Sequence, residues 1–272
     1  MSGLVDDKMK QHVMKTNVLK DDFGWEVPVE SIPLPSNGLI YSPDSILHGK
    51  KTLQIKAMTA QEEDIIMSQA YAKEGTTILY LIKSCLIDKN IDVKELIVGD
   101  RNALMISVRI TGYGSKYDII PRCINCDTKN DMSISLTDLP IKRLNIQPIE
   151  PGSNKFLYKL PVTGKSVIFK YMNAYDEQNR QAKIEFMKKT GMQSNTIVSL
   201  LEEVVISVDG VTDKNKISQF VRNMPALDSK SLREFISENQ PGIDMSHKYV
   251  CKNCGHVNSI TIPINSNFFW PW

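Results

Sequence analysis

The spacing of apolar positions changes period several times along the chain. Thr52–Leu53–Gln54–Ile55–Lys56–Ala57–Met58 alternates, as a half-buried strand does. Thr59-Ala-Gln-Glu62 then sets a hydroxyl and a carboxylate at capping-box spacing, opening a helix to about Lys73. Gly75 interrupts it. Thr76 to Ile87 predicts a second helix, with Ile78, Leu79, Leu81, Ile82, Cys85 and Leu86 on one broad apolar face. A third helix is predicted from Asp100 to Thr111, stopped by Gly112 and Gly114. The period then falls to two, predicting strands at Tyr117 to Arg122, Met132 to Leu136, Arg143 to Ile149, Lys155 to Leu160 and Ser166 to Met172. Helical spacing returns at Asp176 to Lys189, Asn195 to Val208, Lys216 to Met224 and Ser229 to Glu238. Strands close the chain at Lys248–Cys251 and Val257–Ile264. This order lacks the regular alternation of a doubly wound parallel sheet. It predicts an α+β fold, two helical segments alternating with antiparallel β segments.

The expected units are a flexible N-terminal arm (1–24), an extended proline-rich segment and strand (25–57), a helical segment (58–114), a β segment (115–172), a second helical segment (173–242) and a terminal β segment (243–272). The arm is polar and of mixed charge, either disordered or partly helical from Asp6 to Lys20. In the second unit Pro28, Pro33, Pro35 and Pro43 bias the backbone toward extended conformations. That segment is expected to cross a surface, with a turn at Ser36–Asn37–Gly38, and Pro33, Leu34 and Pro35 are candidate partner contacts.

Composition narrows the function classes. The 33 basic and 31 acidic residues leave a net charge of +2 without a basic stripe, which argues against nucleic acid as the main partner. No window approaches the roughly 18 consecutive apolar residues of a membrane span. Met1 to Lys20 has no apolar run of the secretory kind, so no signal peptide is expected.

Four of the five cysteines form two pairs, Cys123-Ile-Asn-Cys126 and Cys251-Lys-Asn-Cys254. Each follows a predicted strand and precedes another, the setting of a zinc knuckle, and Gly255 supplies a residue suited to positive φ in the second turn. Each pair can give half of a tetrahedral thiolate site, so the expectation is a split, zinc-ribbon-like tetracysteine centre holding one structural zinc. The 124 intervening residues are no obstacle. Loop closure costs only about 0.6 kcal/mol more per doubling of length, against a metal site worth on the order of 10 kcal/mol in zinc-finger peptides. The competing reading is two unrelated pairs, buried or oxidised. A thioredoxin-like redox pair fits less well, because strands and not helices follow. Cys85 reads as a small core residue.

Other motifs fall away. Gly164-Lys165-Ser166 resembles the end of a phosphate-binding loop, but position 159 is Lys where glycine is needed, and a strand follows where a helix is required. It reads as a hairpin turn. His12, His48, His247 and His256 sit in no catalytic pattern, and Glu62–Glu63–Asp64 suits the first turn of a helix. No enzymatic constellation emerges. The aromatic ending is different: Phe268, Phe269, Trp270 and Trp272 are four of the chain's 20 aromatic residues, within its last five positions. Such rings must dock, some on the chain itself and the rest on a partner.

Several stretches taken in order carry a family resemblance: Ile32-Pro-Leu-Pro-Ser-Asn-Gly-Leu-Ile-Tyr41, Met58-Thr-Ala-Gln-Glu-Glu-Asp64, Gly99-Asp-Arg-Asn-Ala-Leu104, Arg109-Ile-Thr-Gly-Tyr-Gly114, Leu139-Pro-Ile-Lys-Arg143, Cys251–Gly255 and Phe268–Trp270. From about residue 28 onward the chain resembles the baseplate proteins of T-even-like tailed phages, whose members serve baseplate hub assembly. The resemblance implies a late protein of a contractile-tail phage, acting in the host cytoplasm and possibly retained in the virion. It implies other baseplate, hub or tail proteins as partners, and a role as assembly chaperone or structural subunit. It carries over no catalytic residue. The zinc site and the aromatic tail rest on the residues alone. The alternative is a zinc-ribbon adaptor for nucleic acid or a polymerase, which the balanced charge disfavours.

Overall fold

The computed structural model describes residues 14–20, 24, 26–190, 195–262 and 266–269. Strand β1 (Met14–Lys20) pairs antiparallel with β2 (Glu26–Pro33), which pairs antiparallel with β3 (Thr52–Lys56). The helical alternative for the arm fails over Met14–Lys20, where a ladder to β2 overrides weak local preference. Residues 1–13 lie outside the described residues.

The proline-rich segment does not keep to a surface. Pro33, Leu34 and Pro35 are buried, and the turn beyond them is anchored from within. The Ser36 N–H donates to Asp100 Oδ1 at 2.9 Å, and the Ser36 and Tyr41 hydroxyls donate to Oδ2 at 2.5 and 2.6 Å. Asp100 is fully buried. Burial pushes its carboxyl above the ordinary range, while these donors oppose the shift. Arg143 reaches back to the same turn, donating to the Leu34 carbonyl at 2.8 Å. A buried polar network of this kind fixes the segment against the core.

Helices α1 (Ala60–Met67), α2 (Gln69–Glu74) and α3 (Thr77–Cys85) follow β3. The capping box of Thr59 and Glu62 forms as its spacing predicts, but the helix expected to reach Lys73 breaks at Ser68, which is extended. The Glu62 carboxylate is buried yet also accepts from Lys56 Nζ at 2.7 Å and Ser84 Oγ at 2.5 Å. Burial alone would push its pKa up; these donors outweigh it and hold the group down at about 2. Cys85 is a buried core residue whose thiol burial pushes up to about 12, and hence inert.

The centre of the molecule is α4 (Val98–Tyr113). Every residue from Ala103 to Arg109 is buried, so this helix is enclosed on all sides. Beyond it, β4 (Lys116–Ile119) and β5 (Met132–Ser135) form an antiparallel hairpin around the first cysteine pair. After β6 (Ile141–Lys142) the strand expected over Arg143–Ile149 is not formed, because Arg143 is committed to the turn described above. Strands β7 (Phe156–Lys159) and β8 (Ser166–Phe169) make the expected hairpin, with Gly164 at φ 66° in its turn. Helix α5 (Ala174–Lys189) starts from a second capping box, Asn173 with Asp176.

Helix α6 (Thr196–Val204) ends four residues before its expected limit. The β-branched run Val204-Val205-Ile206 continues instead as β9 (Val205–Val208), antiparallel to β8. Helices α7 (Lys214–Arg222) and α8 (Ala226–Asn239) lead to β10 (Gly242–Ile243), which pairs with β6. The antiparallel hairpin β11 (Ser246–Val250) and β12 (Val257–Thr261) carries the second cysteine pair, and a short helix α9 (Ser266–Phe269) follows. The fold is α+β with antiparallel sheets.

One contact locks the start of α4 to this C-terminal part. A Cβ on Gly99 would lie 1.7 Å from the Pro241 carbonyl oxygen. Gly99→Ala must therefore move backbone against backbone, with an expected loss of roughly 1–3 kcal/mol. Chemical denaturation checks this, and an unchanged midpoint would mean that the two backbones separate freely.

Candidate metal centre

The two hairpins bring all four paired cysteines together. The Sγ atoms of Cys123, Cys126, Cys251 and Cys254 lie within 4.8 Å of one another, with Cys123–Cys254 at 3.7 Å and Cys126–Cys251 at 3.6 Å. Cys123 and Cys251 are buried, Cys126 is partly covered and Cys254 is exposed. The sulfurs stand as four free thiols well beyond disulfide bonding distance. They can hold one metal ion.

The knuckles are built alike. Cys123 N–H donates to the Thr128 carbonyl and Asp127 N–H to the Cys123 carbonyl. In the second knuckle Cys251 N–H donates to the His256 carbonyl and Gly255 N–H to the Cys251 carbonyl. Asp127 and Gly255, each four residues after the first cysteine of its pair, take positive φ of 55° and 70°. Asn at the third knuckle position crosses to the opposite pair: Asn125 Nδ2 to Cys254 Sγ at 3.6 Å, and Asn253 Nδ2 to Cys126 Sγ at 3.7 Å. A further asparagine, seven residues after each first cysteine, does the same for the buried sulfurs. Asn130 Nδ2 meets Cys251 Sγ at 3.7 Å, and Asn258 Nδ2 meets Cys123 Sγ at 3.5 Å. Their Oδ1 atoms accept from Lys252 N–H at 2.9 Å and Ile124 N–H at 3.0 Å, so each buried asparagine stitches one knuckle to the other.

The centre therefore has approximate two-fold symmetry, with each sulfur receiving one asparagine amide from the opposite knuckle. Sequence reading missed these asparagines. The signal was the repeat C-x-N-C-x-x-x-N at Cys123–Asn130 and Cys251–Asn258, in which asparagine passes for an ordinary turn residue.

The amides and hydroxyls favour thiolate. Thr128, through its hydroxyl and backbone, draws Cys126 down to about 6. At Cys123, burial is outweighed by the amides of Asn125 and Cys126 and by Asn258, and the thiol falls below its ordinary range. At Cys254 the His256 amide pulls down, but the crowding sulfurs of Cys126 and Cys123 push the thiol up. Such crowding is relieved by a cation at the centre.

The aromatic ending divides. Phe268 and Phe269 are buried, Phe268 against Tyr117 with ring centroids 5.2 Å apart. The Phe268 carbonyl accepts from Arg109 Nε at 2.9 Å. Trp270 and Trp272 lie outside the described residues. Pro33, Leu34 and Pro35, expected as partner contacts, are buried.

The stretches that carried the resemblance prove to be the polar skeleton: Ser36 and Tyr41 bind Asp100, Arg143 binds Leu34, Thr59 binds Glu62, and Arg109 binds Phe268. No helix among the described residues is long and apolar enough to cross a membrane. A family model described as T4 bacteriophage base plate protein matches residues 41–270, a range that includes both cysteine pairs. No curated protein and no solved structure matches the chain. With the match covering most of its length, the chain belongs to the T4 bacteriophage base plate protein family and has a structural role in a phage baseplate.

Proposed function

We propose that this protein is a non-enzymatic assembly protein of the baseplate hub, acting by protein–protein binding, with one structural zinc as its internal clamp. The observation that carries the reading is the closed tetracysteine centre in a baseplate-family chain. A tetrahedral zinc with bonds of about 2.3 Å to sulfur has sulfur–sulfur edges of about 3.8 Å. The close pairs here, at 3.7 and 3.6 Å, fit that edge. Cys123, Cys126, Cys251 and Cys254 would hold the ion, which supplies cross-linking rather than Lewis-acid chemistry because the four thiolates leave no open position.

In this reading the clamp fixes the hairpin β11–β12 against β4–β5, and with it the course of the chain into the aromatic ending. Phe268 and Phe269 hold that ending to the body, and Trp270 and Trp272 remain for a partner surface on another hub or tail protein. Binding takes place in the host cytoplasm during assembly.

Two forms of the role are separated by one measurement, quantitative mass spectrometry of purified phage particles and of infected-cell lysate. A fixed copy number, in simple ratio to known baseplate proteins, is expected for a permanent subunit. Abundance in lysate, in complex with hub proteins, with absence from particles is expected for a chaperone that leaves. Absence from particles and from every tail-protein complex would overturn the proposal.

A further inference from the structure

A cleft of about 600 Å³ lies where the end of α2 meets α3, α4 and α5, in the size range of specific binding clefts. Its apolar lining includes Ile78 and Leu79 of α3, Met105 of α4 and Ala182 of α5. Two bonds tie the start of α5 to the start of α4. Val98 N–H donates to the Met172 carbonyl at 3.0 Å, and Arg101 Nη1 to Glu177 Oε2 at 2.5 Å. Helix α5 is a thinly packed wall. Only Ala174 and Asp176 of its 16 residues are buried, and Gln181, Ala182 and Glu185 are exposed. A helix this polar draws little of its stability from the core.

The charged side chains lining the cleft are Glu74, Glu177, Glu185 and Arg101. Arg101 is already paired with Glu177. Glu74 and Glu185 are exposed and accept from neutral donors, Thr76 Oγ1 at 3.4 Å and Gln181 Nε2 at 2.9 Å. No lysine lines the cleft. Lys73, Lys188 and Lys189, their neighbours in sequence, form no ion pair with either glutamate among the described residues. Two carboxylates on different helices thus stand without cationic partners beside an apolar floor.

We infer that this cleft receives a segment of another baseplate protein in which apolar side chains are flanked by lysine or arginine. The inference rests on the reading that the chain works by protein–protein binding, and adds where it binds and what it selects. The apolar side chains enter against Ile78, Leu79 and Met105. The flanking cations meet Glu74 on α2 and Glu185 on α5.

Charge selects this occupant. Complementary charge fixes the register of a bound segment and disfavours partners of the wrong sign. The stretches of this chain outside the described residues do not supply it. Residues 1–13 set Asp6 and Asp7 against Lys8 and Lys10, 21–23 include Asp21 and Asp22, and 191–194, 263–265 and 270–272 carry no charged side chain. None has an excess of lysine or arginine, so the cations come from a different chain. A single segment in one cleft makes a small interface of the weak, transient class, and its attraction falls as salt rises.

The test uses the full-length, metal-loaded chain with a benzophenone side chain at Ala182, mixed in turn with each purified tail protein of the same phage. A second version carries the probe at Lys230, outside the cleft. The expected result is a cross-link from position 182 alone, to a segment of one tail protein that holds apolar residues flanked by lysine or arginine. The double variant Glu74→Lys with Glu185→Lys is expected to weaken binding of that protein by roughly tenfold or more at low salt. Its thermal midpoint and metal content stay unchanged, because both glutamates are exposed and unpaired. A cross-link to a segment without basic residues, to residues 1–13 or to a second copy of this chain overturns the inference. Binding of a tail protein that is indifferent to the double variant also overturns it, and leaves the hub reading standing. If no tail protein binds the wild-type chain, both fall.

Discussion

Cys251→Ser is expected to reduce bound metal from one ion per chain toward none in the presence of a competing chelator, and to free both hairpins without unfolding the centre of the molecule. Cys251 is one of two buried sulfurs, and it receives the amide of Asn130 while its own backbone closes the knuckle onto His256. Loss of one thiolate removes one of the four ligands and leaves the tetrahedral site incomplete. A tetrathiolate site contributes on the order of 10 kcal/mol in small zinc peptides, where folding and binding are one event. Here α4 and its neighbours form a core that does not involve the metal, with Leu104, Ile106 and Val108 buried. The loss should accordingly be local.

Amide exchange in β4–β5 and β11–β12 should rise by orders of magnitude, while α4 keeps its protection. Wild-type protein stripped by a chelator should show the same pattern, and adding zinc back should restore it in the wild type alone. Acidification should mimic stripping, because protons compete with the metal for thiolate. Metal-free wild-type protein with undisturbed hairpins would remove the clamp from the account. Asn258→Ala probes the next layer. Its amide touches Cys123 and its carbonyl oxygen holds Ile124 N–H, so a loss of roughly 10–100-fold in metal affinity is expected.

What could be read from sequence was local. The capping box at Thr59 and Glu62, the glycine turn at Gly164 and the cysteine pairs each depend on residues a few positions apart, and each forms as spacing predicts. The joining of the two pairs across 124 residues was legible as well, because each pair supplies half of a tetrahedral site. Long-range polar commitments were not legible. Ser36 and Tyr41 bind Asp100 some sixty positions away, and nothing in Pro33-Leu34-Pro35 indicates that its neighbour will be drawn into the core. The same blindness produced the unformed strand after Arg143, whose alternation suggested a sheet while its guanidinium was needed at Leu34. The break of α6 into β9 turned on partnership with β8, which periodicity within a single segment does not report.

Arg109→Ala should separate the aromatic ending from the metal clamp. Arg109 is fully buried, and its partners are three carbonyl oxygens: Phe268 through Nε at 2.9 Å, Gly114 at 2.7 Å and Lys116 at 3.3 Å. Its guanidinium also lies over the Tyr113 ring, 5.3 Å from the centroid. The charge is tolerated because it sits where the carbonyls at the C-terminus of α4 concentrate negative potential. Truncation leaves the buried Phe268 carbonyl without its donor, at about 1–3 kcal/mol, frees the part-buried Gly114 and Lys116 carbonyls, and opens a cavity. These terms are not additive, and a total on the order of 4 kcal/mol is expected. Arg109→Lys keeps the charge, but one ammonium cannot span the fork, so it should recover less than half of the loss. The same variants decide what holds the ending. With the metal centre intact, Arg109→Ala should retain one ion per chain yet expose the peptide bonds around Phe268 to protease. Cys251→Ser should lose the ion first. Protease resistance at Phe268 unchanged by Arg109→Ala would mean that burial of the two phenylalanine rings alone secures the ending, and that the guanidinium serves only the C-terminus of α4.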